Sequence, residues 1–132
     1  MKIAITGATG FVGRHLIDLL ITKKISNEKF VIIGRSKVDL SHSVFFKCAI
    51  DKKGDYNKAL EAVTVVVHCA ARVHIMNDKS KDPLNEFREV NFYGTLNLAQ
   101  QAAAKGVKRF IFLSSIKVNG ESTTGKAPFT AF

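Results

Sequence analysis

The chain has 132 residues, 46% apolar and 23% charged, enough for one compact core and too few for two ordinary domains. Its formal charge of +9 comes largely from lysines scattered at loops and element ends (Lys23, Lys24, Lys52, Lys53, Lys79, Lys81, Lys105 and Lys108). They form no basic stripe with interleaved aromatics, so no nucleic-acid partner is expected. No apolar run approaches the roughly 20 residues needed to cross a bilayer, and Met1-Lys2 leads straight into a strand-like run, so no membrane partner and a cytoplasmic location are expected.

In chain order, the first candidate strand is "KIAIT" (Lys2 to Thr6), followed by a glycine-rich turn. A helical segment then runs from Phe11 to Lys24, with Val12, Leu16, Leu19 and Leu20 as its apolar residues. Two further strands follow, "KFVIIG" (Lys29 to Gly34) and "VFFKCA" (Val44 to Ala49), then a short helical segment from Asp55 to Val63. The fourth strand, "VTVVVHCA" (Val63 to Ala70), and the first are almost purely apolar, as strands covered on both faces are. A long helix is predicted from Pro83 to Lys105: Asp82 can cap it, Pro83 suits its first position, and Gly106 can end it. The last strand is "RFIFLS" (Arg109 to Ser114). Strands alternating with helices specify an α/β fold with a parallel sheet wound in right-handed crossovers, and residues 1–132 form one domain. Cys48 and Cys69 lack metal or redox spacing, so both are expected to be reduced packing residues, and no metal is expected.

The most informative motif is "ITGATGFVG", which sets Gly7, Gly10 and Gly13 between the first strand and the first helix. In a dinucleotide site one glycine permits the tight turn, one lets the backbone approach a pyrophosphate, and one lets the helix pack closely on the sheet. The free N–H groups of the helix, led by those of Phe11 and Val12, then point at the phosphates. A glycine-rich turn without a ligand is the bland alternative; the strand before it and the amphipathic helix after it supply the context that a binding turn requires.

This spacing, with "HCAA" at the fourth strand, "VNFYGTLNL" on the long helix and "FLSSIKVNG" at the fifth strand, resembles the N-terminal half of an extended short-chain dehydrogenase/reductase. The likeness is to the NAD-dependent epimerase/dehydratase branch, that of UDP-glucose 4-epimerase-like proteins. The resemblance implies a Rossmann-like doubly wound sheet of order 3-2-1-4-5, truncated after about five strands, with NAD or NADP as cofactor and a nucleotide-sugar substrate. The fifth strand then becomes a sheet edge. Where the family often has an acid that bonds the ribose of NAD, this chain has Gly34, Arg35 and Ser36, which leans towards the 2'-phosphate of NADP; Arg35 can also stack on adenine or be solvated. The family's Asp and aliphatic pair at the adenine edge is Ala49 and Ile50 here, so adenine recognition falls to the Ile50 backbone or to Asp51 one step later. Cys69, Ala70 and Ala71 match the small residues under the middle of the cofactor, and Asn91 matches an asparagine near the nicotinamide, on a helix expected to be well buried.

Ser115 occupies the position of the family's proton-relay hydroxyl, and Ser114 the structural position beside it; both can also serve only to cap the strand and turn. The Tyr-x-x-x-Lys motif that such a serine serves is absent: the only tyrosines are Tyr56 and Tyr93, and neither has lysine three residues on. The expectation is therefore a dinucleotide-binding chain without turnover, with a non-catalytic binding module or remnant as the alternative. The long helix carries Leu84, Phe87, Val90, Leu96 and Leu98 around much of its girth, so self-association through residues 83–105 is expected.

Overall fold

The computed structural model describes residues 1–26, 29–73 and 82–120; Lys79 and Lys81 and the final stretch from residue 121 lie outside them. Five parallel strands form one sheet in the order β3-β2-β1-β4-β5. The strands are β1 (Ile3–Thr6), β2 (Phe30–Gly34), β3 (Val44–Lys47), β4 (Val65–His68) and β5 (Arg109–Phe112). β1 lies at the centre, with Ile5 opposite Ile32 on β2 and Val67 on β4. All four residues of β1 are buried, as expected for a strand covered on both faces.

The pleat sends alternate side chains to two cores. On one face Ala4, Val31, Ile33 and Val66 pack with Tyr56, Leu60, Leu98 and Ala102; on the other Ile3, Ile5, Phe30, Ile32 and Val67 pack with Ala8 and Ile17 of the turn and first helix. That helix, α1, spans Phe11–Thr22, two residues less than its apolar periodicity implies. It stops where Lys24 takes a left-handed φ of 60°, and the Ile25 N–H turns back to Leu20 O at 3.0 Å.

The sequence and the fold differ in three places. Residues 55–63 form turns instead of a helix: Tyr56 gives its N–H to Gln101, Asn57 bonds the Asp55 carboxylate, and Ala62 at φ 59° breaks any continuation. β3, β4 and β5 are each shorter than their apolar runs, with single backbone bonds from Cys48 to Gly34, Cys69 to Thr6 and Leu113 to His68 carrying the pairing one residue beyond each strand. The long helix is three pieces: α2 (Pro83–Arg88), a π-helical turn (Glu89–Gly94) and α3 (Thr95–Ala104). Its ends follow the sequence signals: Asp82 accepts the Asn85 N–H at 3.1 Å, and Gly106 at φ 72° ends α3 with Val107 N–H bonded to Ala102 O.

β5 is an edge strand, and its Ile111 and Phe112 are exposed, as is Leu113 just after it. Among the described residues no helix is long and apolar enough to cross a membrane.

Candidate functional site

The strand ends on the C-terminal side of the sheet open into a cleft of about 850 Å³, within the range of small-molecule sites. Its floor is the turn after β1. Gly7 holds φ 70°, and a Cβ there would lie 2.6 Å from the backbone of Cys69 and Ala70, so only glycine lets the turn rest on the segment leaving β4. A Cβ on Gly13 would lie 2.2 Å from Gly7 O, so the first turn of α1 sits directly against the loop. Gly10 closes the turn through its N–H to Gly7 O at 2.9 Å and stands at the N-cap of α1 without a side-chain cap. The Arg14 N–H to Gly10 O bond at 3.0 Å is the first of the helix, which leaves the N–H groups of Phe11, Val12 and Gly13 ahead of it without intrahelical acceptors. The Phe11 and Val12 side chains are exposed and stand outside the cleft, the Phe11 ring lying tilted against His15 at 4.4 Å.

The walls follow the sheet order. Gly34, Arg35 and Ser36 line the cleft at the end of β2, and a Cβ on Gly34 would meet nothing within 4 Å, so the space there is open. Ala49, Ile50, Asp51, Lys52 and Lys53 line it after β3, and Cys69, Ala70, Ala71 and Arg72 after β4. The Asp51 carboxylate accepts the Lys53 N–H at 2.8 Å and so stabilises its own turn. Lys52 reaches across to Glu89 of the π-helical turn in a 2.8 Å ion pair, and the hydrogen bond to Glu89 holds its pKa above the usual lysine value. Both cysteines are free thiols that line this cleft, each raised in pKa chiefly by burial.

Asn91 is exposed, contrary to the expectation of a buried helix face, and both ends of its amide are engaged by one residue: Oδ1 accepts the Arg72 N–H at 2.7 Å and Nδ2 donates to Arg72 O at 2.9 Å. Asn91 thus fixes the backbone after β4 without lining the cleft, and the Arg72 guanidinium lies 5.4 Å over the Phe87 ring. Ser114 and Ser115 are exposed and also stand outside the cleft; the Val118 N–H bonds Ser115 O at 3.1 Å and opens a short 3₁₀ turn, Ile116–Asn119. Tyr56 is wholly buried with its hydroxyl donating to Ala49 O at 3.0 Å, and burial pushes its pKa up to about 12. Tyr93 sits in the π-helical turn with its ring 4.9 Å from Phe92.

One polar chain under the floor is invisible in the sequence. Thr6 Oγ1 lies 2.6 Å from His68 Nδ1, and His68 Nε2 lies 2.8 Å from Thr95 Oγ1. Because Thr6 Oγ1 already accepts the Ala70 N–H at 3.2 Å, its own proton is available for Nδ1; the ring hydrogen then belongs on Nε2, donated to Thr95. Burial depresses the His68 pKa to about 4, so the ring is neutral. The chain joins β1, β4 and α3 beneath the glycine turn. Its members are 62 and 27 residues apart, and no local pattern announces such pairs.

Residues 3–131 match the family described as NAD dependent epimerase/dehydratase. The chain is 48% identical to a UDP-glucose 4-epimerase of Vibrio cholerae over 129 residues, which cover 97% of this chain and 39% of that protein. Among solved structures it is similar to an NAD-bound short-chain dehydrogenase/reductase superfamily protein from Agrobacterium tumefaciens, with TM-score 0.81 and 25% identity over 99% of this chain and 38% of that one. It is also similar to a dTDP-glucose 4,6-dehydratase from Streptomyces venezuelae solved with NAD and TYD, with TM-score 0.77 and 26% identity over 96% of this chain and 43% of that one. The chain therefore spans less than half the length of these relatives.

Proposed function

The chain belongs to the NAD dependent epimerase/dehydratase family, and on that premise we propose that it is the dinucleotide-binding part of an enzyme acting on a nucleotide sugar. The observation that carries this reading is the turn after β1: three glycines, two of which have no room for a Cβ, bring uncapped helix N–H groups to the edge of an open cleft. A pyrophosphate is the ligand such a turn suits, its charge meeting the positive end of the α1 dipole. Relatives solved with NAD support a nicotinamide dinucleotide. Open space at Gly34 beside Arg35 and Ser36 favours NADP over NAD, because a 2'-phosphate fits there within reach of a guanidinium.

Within this reading Gly7, Gly10 and Gly13 shape the turn so that main-chain N–H groups led by those of Phe11 and Val12 hold the pyrophosphate, Arg35 and Ser36 take the adenosine ribose, and Ile50 borders the base. Cys69, Ala70 and Ala71 border the path of the cofactor, Asn91 acts through Arg72, and Ser114 and Ser115, which stand outside the cleft just past β5, take the structural and proton-relay positions. Hydride chemistry in the resembled family uses a tyrosine base beside a lysine, and neither tyrosine here has one. The 132 residues are accordingly read as binding without turnover in a cytoplasmic setting, associating with themselves through the exposed Leu84, Phe92 and Leu96 of residues 83–105.

Calorimetric titration with NAD and NADP tests the reading. Binding of at least one is expected, and Arg35→Ala should weaken NADP about tenfold while leaving NAD within a factor of two. A melting temperature unmoved by saturating NAD and by saturating NADP refutes it.

A further inference from the structure

The loop between β3 and the turns that follow it is held by polar side chains of α3 to a degree that its position in a loop does not require. Two carboxamides form the frame. Asn97 Nδ2 donates to Asp51 O at 3.0 Å and to Gly54 O at 2.8 Å. Gln101 Nε2 donates to Gly54 O and to Asn97 Oδ1, both at 2.8 Å, and Gln101 Oε1 accepts the Tyr56 N–H at 2.8 Å. The Tyr56 hydroxyl closes the frame from below, donating to Ala49 O at 3.0 Å and accepting the Asp51 N–H at 3.3 Å. Two glycines fit the parts together: a Cβ on Gly54 would meet the Tyr56 hydroxyl at 2.2 Å, and one on Gly94 would meet the Ile50 carbonyl at 2.8 Å.

These bonds engage the main chain on either side of Ile50, at Ala49 and at Asp51, and none of them uses the N–H or carbonyl of Ile50 itself. Ile50 lines the cleft, and the Asp51 carboxylate is turned to the Lys53 N–H. If the pyrophosphate sits at the turn after β1 and the adenosine ribose at the end of β2, the sheet order places the base at the end of β3, where Ile50 stands.

We propose that Asn97, Gln101 and Tyr56 are positioning residues for base recognition, holding the Ile50 peptide groups as a fixed donor and acceptor that read adenine without a side chain. The proposal rests on the dinucleotide reading above. Its chemistry is a matter of pattern: adenine offers an amino donor at N6 and an acceptor at N1, which meet a carbonyl and an N–H. Hypoxanthine offers an oxygen and an N–H at the same two places, which meet the same pair with both signs reversed. A fixed backbone pair discriminates between them, whereas a loose one shifts to suit either.

The test is a ratio, so that a general loss of stability cancels. The full chain is titrated with NAD and with its deaminated analogue, nicotinamide hypoxanthine dinucleotide, as wild type and as Asn97→Ala and Gln101→Met. Wild type should prefer NAD by about tenfold or more, the discrimination that buried hydrogen-bond mismatches produce. Each folded variant should bring the ratio close to one, mainly by weakening NAD. A folded variant that keeps the wild-type ratio overturns the positioning role, as does a wild type that binds both dinucleotides equally. A wild type that binds neither of these nor NADP overturns the underlying dinucleotide reading instead, and one that binds only NADP is put through the same comparison with NADP and its deaminated analogue, with the same outcomes deciding. Hydrogen exchange on the wild type gives a check independent of the variants: NAD should protect the Ile50 amide and the deaminated analogue should not, and equal protection by both counts against the proposal.

Discussion

Acidification should expose the His68 bridge. The imidazole is wholly buried between Thr6 and Thr95, with the Phe112 ring stacked at 5.6 Å and Phe110 at 6.1 Å, and burial alone accounts for its depressed pKa. In the unfolded chain the ring has the ordinary value of 6.5, and in the folded chain about 4. A base with a depressed folded pKa binds more protons when unfolded, so its contribution is complete above pH 6.5 and is lost as pH falls towards 4. At 1.36 kcal/mol for each pH unit of difference, the loss is on the order of 3 kcal/mol in total, and about 2 kcal/mol of it has gone by pH 5. Asp55, whose folded pKa is lowered below 3.8 by its bonds to Asn57, loses its contribution only at still lower pH and leaves this window clear. Urea denaturation at pH 7.5, 6.0 and 5.0, on wild type and on His68→Asn, measures the effect. Wild type should lose about 2 kcal/mol across the series and the variant less than a quarter of that. Equal losses in the two proteins, or a His68 ring resonance that titrates near 6.5 in the folded state, would refute the neutral-bridge argument.

Three further outcomes follow from individual contacts. Gly13→Ala places a methyl 2.2 Å from Gly7 O, so either α1 or the turn must shift; a cost of about 1 to 3 kcal/mol is expected in denaturant melts, with dinucleotide affinity lost in parallel. Lys24→Gly relieves a non-glycine residue at φ 60° and should raise stability by about 0.5 to 1 kcal/mol, while a fall in the denaturation midpoint would show that the lysine side chain is required there. Leu96 is 45% exposed on α3, and Leu96→Glu should lower the apparent mass in light scattering at high concentration, provided that the helix mediates association; a wild type that stays monomeric removes the premise.

Most of the architecture was legible because it rests on local signals. Two short apolar runs joined by a G-x-x-G-x-x-G turn announce a strand, a tight corner and a helix, and Asp82, Pro83 and Gly106 mark the ends of the long helix within a residue. The segment after Asp55 departs from the helical character expected of it because Tyr56, Ala59, Leu60 and Val63 reach the core from successive turns. The cleft was legible where it follows the strand ends, at Gly34 to Ser36 and Cys69 to Ala71. It was not legible at Lys52 and Glu89, or at Thr6, His68 and Thr95, because each of these groups is defined by a partner far along the chain.

The long helix shows why two asparagines, a threonine and a glutamine there mean more than solubility. Asn91 holds the backbone after β4, Thr95 meets His68 below the turn after β1, and Asn97 and Gln101 hold the loop after β3. Within α3 a regular helix advances 100° per residue, so positions 95, 98 and 102 share one face, and it is this face that packs Leu98 and Ala102 on the sheet. The π-helical turn from Glu89 to Gly94 lies where that stripe passes from core contact to polar contact, and it ends at Gly94, where a Cβ would strike the Ile50 backbone. One helix therefore ties together the segments that follow β3 and β4, and its polar residues support two walls of a single cleft while Thr95 reaches beneath the floor through His68 and Thr6.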